Sequence, residues 1–173
     1  MLQLSASLLN KPVLSLRTGA PVAQVYAALI NPNNLKVEGF YCNDKFSGQS
    51  MILLYQDIRE FIGKGYVVND HDVLSDPEDL VRLAKIIQLN YALIGKPVVT
   101  LSKDKIGKIS DYAVEIESMY VQKIYVSQSL LKNFTGGELS IDRSQINEVT
   151  DKRIIINDLL KGNPVAASLP AIG

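Results

Sequence analysis

The sequence predicts a mainly β protein in which two tandem small antiparallel β-barrels are joined by an amphipathic α-helix. Three observations carry this. The chain repeats itself at a spacing of 84 to 88 residues, each copy breaks into short Val-, Ile- and Tyr-rich segments between turn-formers, and one stretch alone has a helical period. The first barrel then spans 1–75, the connecting helix 76–90, the second barrel 91–160 and a mobile tail 161–173.

The repeat comes first because it fixes both copies at once. Asn10-Lys11-Pro12-Val13-Leu14-Ser15-Leu16 returns as Gly95-Lys96-Pro97-Val98-Val99-Thr100-Leu101, with Pro97 against Pro12 at a shift of 85. After a turn one residue shorter, Val25 matches Ile109 and Val37-Glu38-Gly39-Phe40-Tyr41-Cys42 matches Val121-Gln122-Lys123-Ile124-Tyr125-Val126, at a shift of 84. Ile58 then matches Ile146, and Tyr66 matches Ile154, at a shift of 88. The second copy reads as strands over Pro97–Leu101, Lys108–Glu117, Val121–Ser127, Glu138–Asp142, Ile146–Thr150 and Arg153–Ile156. Proline at the first residue of a strand costs no ladder hydrogen bond, which suits Pro12 and Pro97, and Gly107 inside a strand marks a bulge or a close backbone approach. Close spacing with tight turns argues a small closed or half-closed barrel, which removes sheet edges.

Between the copies, Ser75-Asp76-Pro77-Glu78-Asp79 has a cap, a first-turn proline and two acids at the positive helix end. Leu80, Leu83, Ala84 and Ile87 follow at helical spacing, so one amphipathic helix to Gln88 is expected.

Composition limits function. The chain has 173 residues, 47% hydrophobic, with 18 basic against 18 acidic side chains. That balance excludes a nucleic-acid binder that works by bulk attraction. Cys42 alone rules out an internal disulfide framework, and His71 alone leaves little for His-rich metal sites or Cys/His nucleophiles. No basic region precedes the mildly apolar start, and no apolar run approaches the ~20 residues of a membrane span, so a cytoplasmic location is expected.

The segment Ile94-Gly95-Lys96-Pro97-Val98-Val99-Thr100-Leu101, followed by Ile106-Gly107-Lys108-Ile109-Ser110-Asp111, resembles the opening of the PRC-barrel family. The first copy is similar, with Asn10 in place of Gly95 and Ala23 in place of Gly107. The resemblance implies small six-stranded barrels like those of the photosynthetic reaction centre H subunit and RimM-type ribosome maturation factors. It implies a protein-binding or structural module without a catalytic residue set, and it assigns no site residues.

The chemical constellations read blandly beside their sharper alternatives. Asp70-His71-Asp72 has metal-ligand residue types, but neighbours in extended chain point opposite ways, so it reads as a polar loop. Cys42 stands where the second copy has Val126, a small core position. Tyr41 and Tyr125 share one repeat position, and Tyr55, Tyr66, Tyr112 and Tyr120 lie in or beside other strands. Core-edge tyrosines are the expectation there, and an aromatic binding surface is the alternative. Lys96, Lys103, Lys105 and Lys108 gather in one hairpin, yet from residue 92 onward there are 10 basic and 9 acidic side chains, so the patch is local. Gly63-Lys64-Gly65 and Gly136-Gly137 lack P-loop spacing and read as turns. No catalytic, cofactor-binding or metal residue is assigned, and no cofactor is expected. The function expected is a non-catalytic protein-binding or scaffold protein with a protein partner, acting through the exposed strand faces or a groove between the copies. The alternatives are a ribosome- or RNA-associated assembly factor and a small metal-dependent enzyme, and a homo-oligomer is compatible with all three.

Overall fold

The computed structural model describes residues 1–128 and 137–159; the tail expected over 161–173 lies outside them, as does Gly136. The chain opens with β1 (Leu2–Leu4) and a four-residue α1 (Ser5–Leu8). The first repeat supplies β2 (Pro12–Ser15), β3 (Pro21–Asn31), β4 (Lys36–Asp44), β5 (Ser50–Leu54), β6 (Glu60–Ile62) and β7 (Gly65–Val68). After α2 (Ala84–Leu89), the second repeat supplies β8 (Pro97–Thr100), β9 (Lys105–Glu115), β10 (Val121–Gln128), β11 (Glu138–Asp142), β12 (Ile146–Val149) and β13 (Ile154–Ile156). The two sheets have one topology. Their orders are β5-β4-β3-β2-β7-β6 and β11-β10-β9-β8-β13-β12, and β1 adds to β9 in the second.

Two features of the expected barrels are corrected. Each sheet is mixed, because β2 pairs with β7 in parallel (Val13 opposite Tyr66) and β8 with β13 in parallel (Val98 opposite Ile154). Tight turns make consecutive strands antiparallel, but these partners are the first and last of their repeats, and no turn dictates their sense. Each pairing path is also open: among the described residues no ladder joins β5 to β6 or β11 to β12. A 3-10 turn stands at each gap, over Tyr55–Asp57 and Arg143–Gln145.

Curvature comes from β-bulges, and the repeats carry them at equivalent places. Val22, Tyr26 and Glu38 are the extra residues in the first sheet; Ile106, Ser110 and Gln122, each 84 residues later, are the extra residues in the second. A bulge bends its strand and increases local twist. It also changes which side chains turn inward. Val121 and Ile124 are both fully buried because Gln122 interrupts the alternation between them.

The repeat equivalence extends through the cores. Val13, Val25, Phe40, Leu53, Tyr66 and Val68 are buried in the first, and Val98, Ile109, Ile124, Ile141, Ile154 and Ile156 take their places in the second. The first is aromatic at its centre, with the Phe40 and Tyr66 rings 4.8 Å apart and the Tyr66 hydroxyl donating to the Leu8 carbonyl at 2.7 Å. The second is aliphatic there. Lys36 lies over the Tyr55 ring at 4.2 Å, and at the equivalent positions Arg143 lies over the Tyr120 ring at 4.9 Å, so cation and ring have exchanged places. The β3–β4 and β9–β10 turns close on Leu35 and Met119, both buried with positive φ.

The expected helix from Asp76 is broken. Asp76 does cap, accepting from the Glu78 amide at 2.9 Å, but 3-10 turns over Pro77–Asp79 and Val81–Leu83 precede α2, and Leu80 between them is non-helical. Helical nucleation is weak in so short a segment, so packing decides the backbone. Leu83 clusters with Leu29, Ile52 and Leu54, and Leu80, Ile86, Ile87 and Tyr41 pack around them. This layer covers the outer face of β5, which is why Ile52, Leu53 and Leu54 are all buried in succession. In the second repeat Ser140 and Asp142 replace Ile52 and Leu54. Among the described residues no helix is long and apolar enough to cross a membrane.

By contacts the chain forms two compact units, Ala6–Asn31 with Leu35–Tyr91, and Met1–Ser5 with Pro32–Asn34 and Ala92–Gly173. Residues 76–90 belong to the unit of the first repeat, and Met1–Ser5 to the unit of the second.

Gly107 makes the close approach expected of it. A Cβ there would lie 2.0 Å from the Ser127 carbonyl oxygen, at φ +156. Gly107→Ala is expected to destabilise the protein by about 2–4 kcal/mol through clash and backbone strain. Gly63→Ala, with nothing within 4 Å of the added carbon, stays within about 0.5 kcal/mol. Urea midpoints of both variants against the parent check this.

Candidate functional site

The strap that follows β7 organises one end of the first-repeat unit. Its residues Asp70, His71 and Asp72 diverge. Asp70 accepts from the Ser15 hydroxyl and the Arg17 guanidinium, each at 3.0 Å. The His71 backbone amide, then Ser15 and Arg17, hold its carboxyl below the usual range. His71 turns instead to Asp44, with Nε2 at 2.8 Å from Oδ1, and Asp72 is exposed. Among the described residues no group of three His, Cys, Asp or Glu side chains is placed to hold a metal ion.

Asp44 is the buried acid at the end of β4, with only 4% of its surface exposed. Burial pushes its carboxyl up, but the Ser47 hydroxyl at 2.7 Å, the Phe46 amide at 3.0 Å and His71 outweigh it and hold the group at about 2. An ionised carboxylate only accepts, so His71 Nε2 is the donor. The bonds to residues 46 and 47 fix the β4–β5 loop as an Asx-type turn, which Gly48 completes at φ +71. At its tip Phe46 is 73% exposed, touching the His71 ring edge-on with centroids 4.7 Å apart.

Cations line the same strap. The Arg17 amide donates to the Asn69 carbonyl at 3.3 Å, and Arg59 Nε donates to Asn69 Oδ1 at 2.8 Å. The Lys45 amide, beside Phe46, donates to the Val22 carbonyl at 3.0 Å. Leu16, next to Arg17, is 62% exposed. Arg17, Arg59 and His71 are thus tied to the strap or to Asp44, and Phe46 reaches it through the His71 ring, with Leu16 and Lys45 their neighbours in the chain.

The remaining sequence candidates are distributed otherwise. Cys42 is fully buried in β4 opposite Val25, and burial pushes its thiol up to about 12 despite the Leu53 backbone. A thiol so placed is a core side chain with no thiolate at neutral pH. Tyr66 is core, Tyr55 and Tyr120 lie under cations, and burial raises Tyr112 well above its ordinary range, with Asp111 adding to it. Tyr41 and Tyr125 are half-buried at their shared position. The Tyr41 hydroxyl is raised by burial and then by Tyr26, whose ring lies 6.1 Å away. Lys103, Lys105 and Lys108 are exposed and Lys96 is half-buried, but they spread along the hairpin, with Lys103 at its turn and Lys108 opposite Pro97. Gly63 and Lys64 form the two-residue β6–β7 turn, and Gly65 fits closely, since a Cβ there would meet the Pro12 carbonyl oxygen at 2.4 Å.

Asp44 and Phe46 escaped the reading of the sequence. The Asp44-Lys45-Phe46-Ser47-Gly48 string signals a turn, but neither the burial of its acid nor the exposure of its phenylalanine is local information.

Asp44→Ala is expected to cost about 1–3 kcal/mol at pH 7, since it strands the donors that the carboxylate satisfies. The folded carboxyl, at about 2, lies below the ordinary 3.8. Its stabilisation is therefore present above about 3.8 and is lost as pH falls toward 2. Urea midpoints from pH 6 to pH 2 should fall less steeply in the variant than in the parent.

No protein-family model matches the chain, and no curated protein matches it significantly.

Proposed function

We propose that this protein is a non-catalytic protein-binding or scaffold protein, and that its repeats are PRC-type lobes whose bent six-stranded sheets are the family's barrel walls. The shared opening at Lys11-Pro12-Val13 and Lys96-Pro97-Val98 supports that kinship, as do the matched bulges.

One observation carries the binding reading. Leu16 and Leu101 occupy the same repeat position, directly after the first strand, and are 62% and 52% exposed. Each backbone is fixed, with the Leu16 amide donating to the Val68 carbonyl at 2.9 Å and the Leu101 amide to the Ile156 carbonyl at 3.0 Å. A single exposed leucine needs no explanation. Two at equivalent loop positions, each beside a carboxylate that ties the loop down (Asp70 on Arg17, Asp158 on Ser102), are apolar contacts held ready for a partner. The ribosome- or RNA-associated alternative draws on Lys103, Lys105 and Lys108, with Asp104 among them.

Capture from lysate on the immobilised full chain, with and without nuclease, tests the reading. Protein partners that survive nuclease and fall at least several-fold with Leu16→Ser/Leu101→Ser are expected. Loss of every partner after nuclease overturns it in favour of RNA. The double variant should keep the parent's urea midpoint to within about 0.5 kcal/mol, since exposed positions contribute little.

A further inference from the structure

We propose that the chain following Leu159 straps the open outer edge of β11, with Gly162 opposite Ser140, as Ser75 straps the outer edge of β5.

The two edges match group for group. Tyr41 stands opposite Ile52 and Tyr125 opposite Ser140, so the backbone groups of Ser140 turn away from β10 as those of Ile52 turn away from β4. Ile52 is closed by an antiparallel bridge, its amide donating to the Ser75 carbonyl at 2.8 Å and its carbonyl accepting from the Ser75 amide at 2.9 Å. On β11 the Asp142 amide donates to Gln145 Oε1 at 2.9 Å, and among the described residues nothing pairs with the outward amide and carbonyl of Ser140. Edge groups of this kind are a template for another strand.

The repeat names the occupant. Asn157-Asp158 repeats Asn69-Asp70 at a shift of 88, and Asn163-Pro164 repeats Asp76-Pro77 in type and spacing at a shift of 87, which sets Gly162 against Ser75. The described start of the second segment leaves its sheet as the first does. The Leu101 amide donates to the Ile156 carbonyl as that of Leu16 does to Val68, and Asp158 then accepts from Ser102 as Asp70 does from Arg17. Gly162 follows Asp158 by one residue fewer than Ser75 follows Asp70, and the span is still met. His71–Val73 is a 3-10 turn, rising about 2 Å per residue against about 3.3 Å in extended chain, so five residues of the first strap and four extended residues of the second each cover about 13 Å. A tether this short also raises the effective concentration of the segment at β11 far above that of a strand from a separate molecule.

Amide hydrogen exchange on the full chain, read residue by residue by NMR, tests this, with the bridged Ile52 as reference. The Ser140 amide should exchange at least about ten-fold more slowly than an unstructured serine amide and keep that rate on dilution of the protein. Gly162→Pro, which removes the donor to the Ser140 carbonyl, should release the Ser140 amide and leave Ile52 unchanged. Ser140→Cys/Gly162→Cys should close an intrachain disulfide in oxidised glutathione, because directly opposed residues lie within disulfide reach, and the fully buried Cys42 does not compete. Ser140→Cys/Ser168→Cys should close several-fold more slowly. A Ser140 amide that exchanges at the unstructured rate overturns the proposal, as does equal closure of the two cysteine pairs. Protection that survives Gly162→Pro overturns it as well, and so does protection that fades on dilution, which would assign the edge to a strand from a second copy.

Discussion

The bends in β3 and β9 are what the other features of each sheet depend on. A flat eleven-residue strand would carry its neighbours apart, and the six strands would leave a face of their core in water. Three extra residues per repeat prevent this, and at one equivalent bulge in each repeat a side chain ties the distorted strand to the edge strand. Tyr26 reaches the edge strand through its hydroxyl, 2.7 Å from Ser50 Oγ, and Ser110 at the same bulge reaches Glu138, the counterpart of Ser50, at 2.9 Å. Residue types differ, but the bulge residue is tied to the edge strand both times. Curvature also lets the last strand lie beside the first, so that β2 meets β7 and β8 meets β13.

That last pairing positions the strap. Once Val68 accepts from Leu16, the chain leaving β7 must pass the loop leaving β2, and Asp70 is set against Ser15 and Arg17. One residue later His71 meets Asp44, which ends β4. The candidate surface is thus a consequence of parallel pairing followed by two carboxylates, one half-buried and one buried. In the second repeat Asp158 performs the first part through the Ser102 amide and hydroxyl, at 2.9 and 2.6 Å.

Much of this was legible because duplication lets one copy check the other. Strand bounds in the second repeat fall within a few residues of those read from turn-formers, and Gly107 proved a close approach, whereas Asp70 and His71 take different partners with His71–Val73 in a 3-10 turn and not in extended chain. The parallel pairs were not legible, because period-two patterning specifies a strand's faces and not its partner's direction. Nor was the exchange of cation and ring between Lys36–Tyr55 and Tyr120–Arg143, since aligned positions hold opposite residue types and only geometry reveals the shared contact. The helix failed for a related reason. Leu80, Leu83 and Ile87 do face the sheet, and the spacing that suggested a continuous helix is met by 3-10 turns and a short helix.

The leaders of the two repeats show where local sequence stops deciding. Leu2-Gln3-Leu4 and Ile87-Gln88-Leu89 are equivalent at a shift of 85, yet the first is β1, paired with Ala113–Glu115 of β9, and the second ends α2. The surfaces they serve differ. Beside the first repeat, Leu29, Ile52 and Leu54 form an apolar face that only a broad side-chain stripe covers, and α2 with Leu80 and Leu83 provides it. In the second repeat the same three positions are Ala113, Ser140 and Asp142, which offer little to bury. What remains there is an unfilled stretch of β9 backbone, and three residues in extended form satisfy it by hydrogen bonding. A helix would leave those β9 groups unpaired, and a strand would leave Ile52 and Leu54 in water, so the receiving face sets the conformation of each leader.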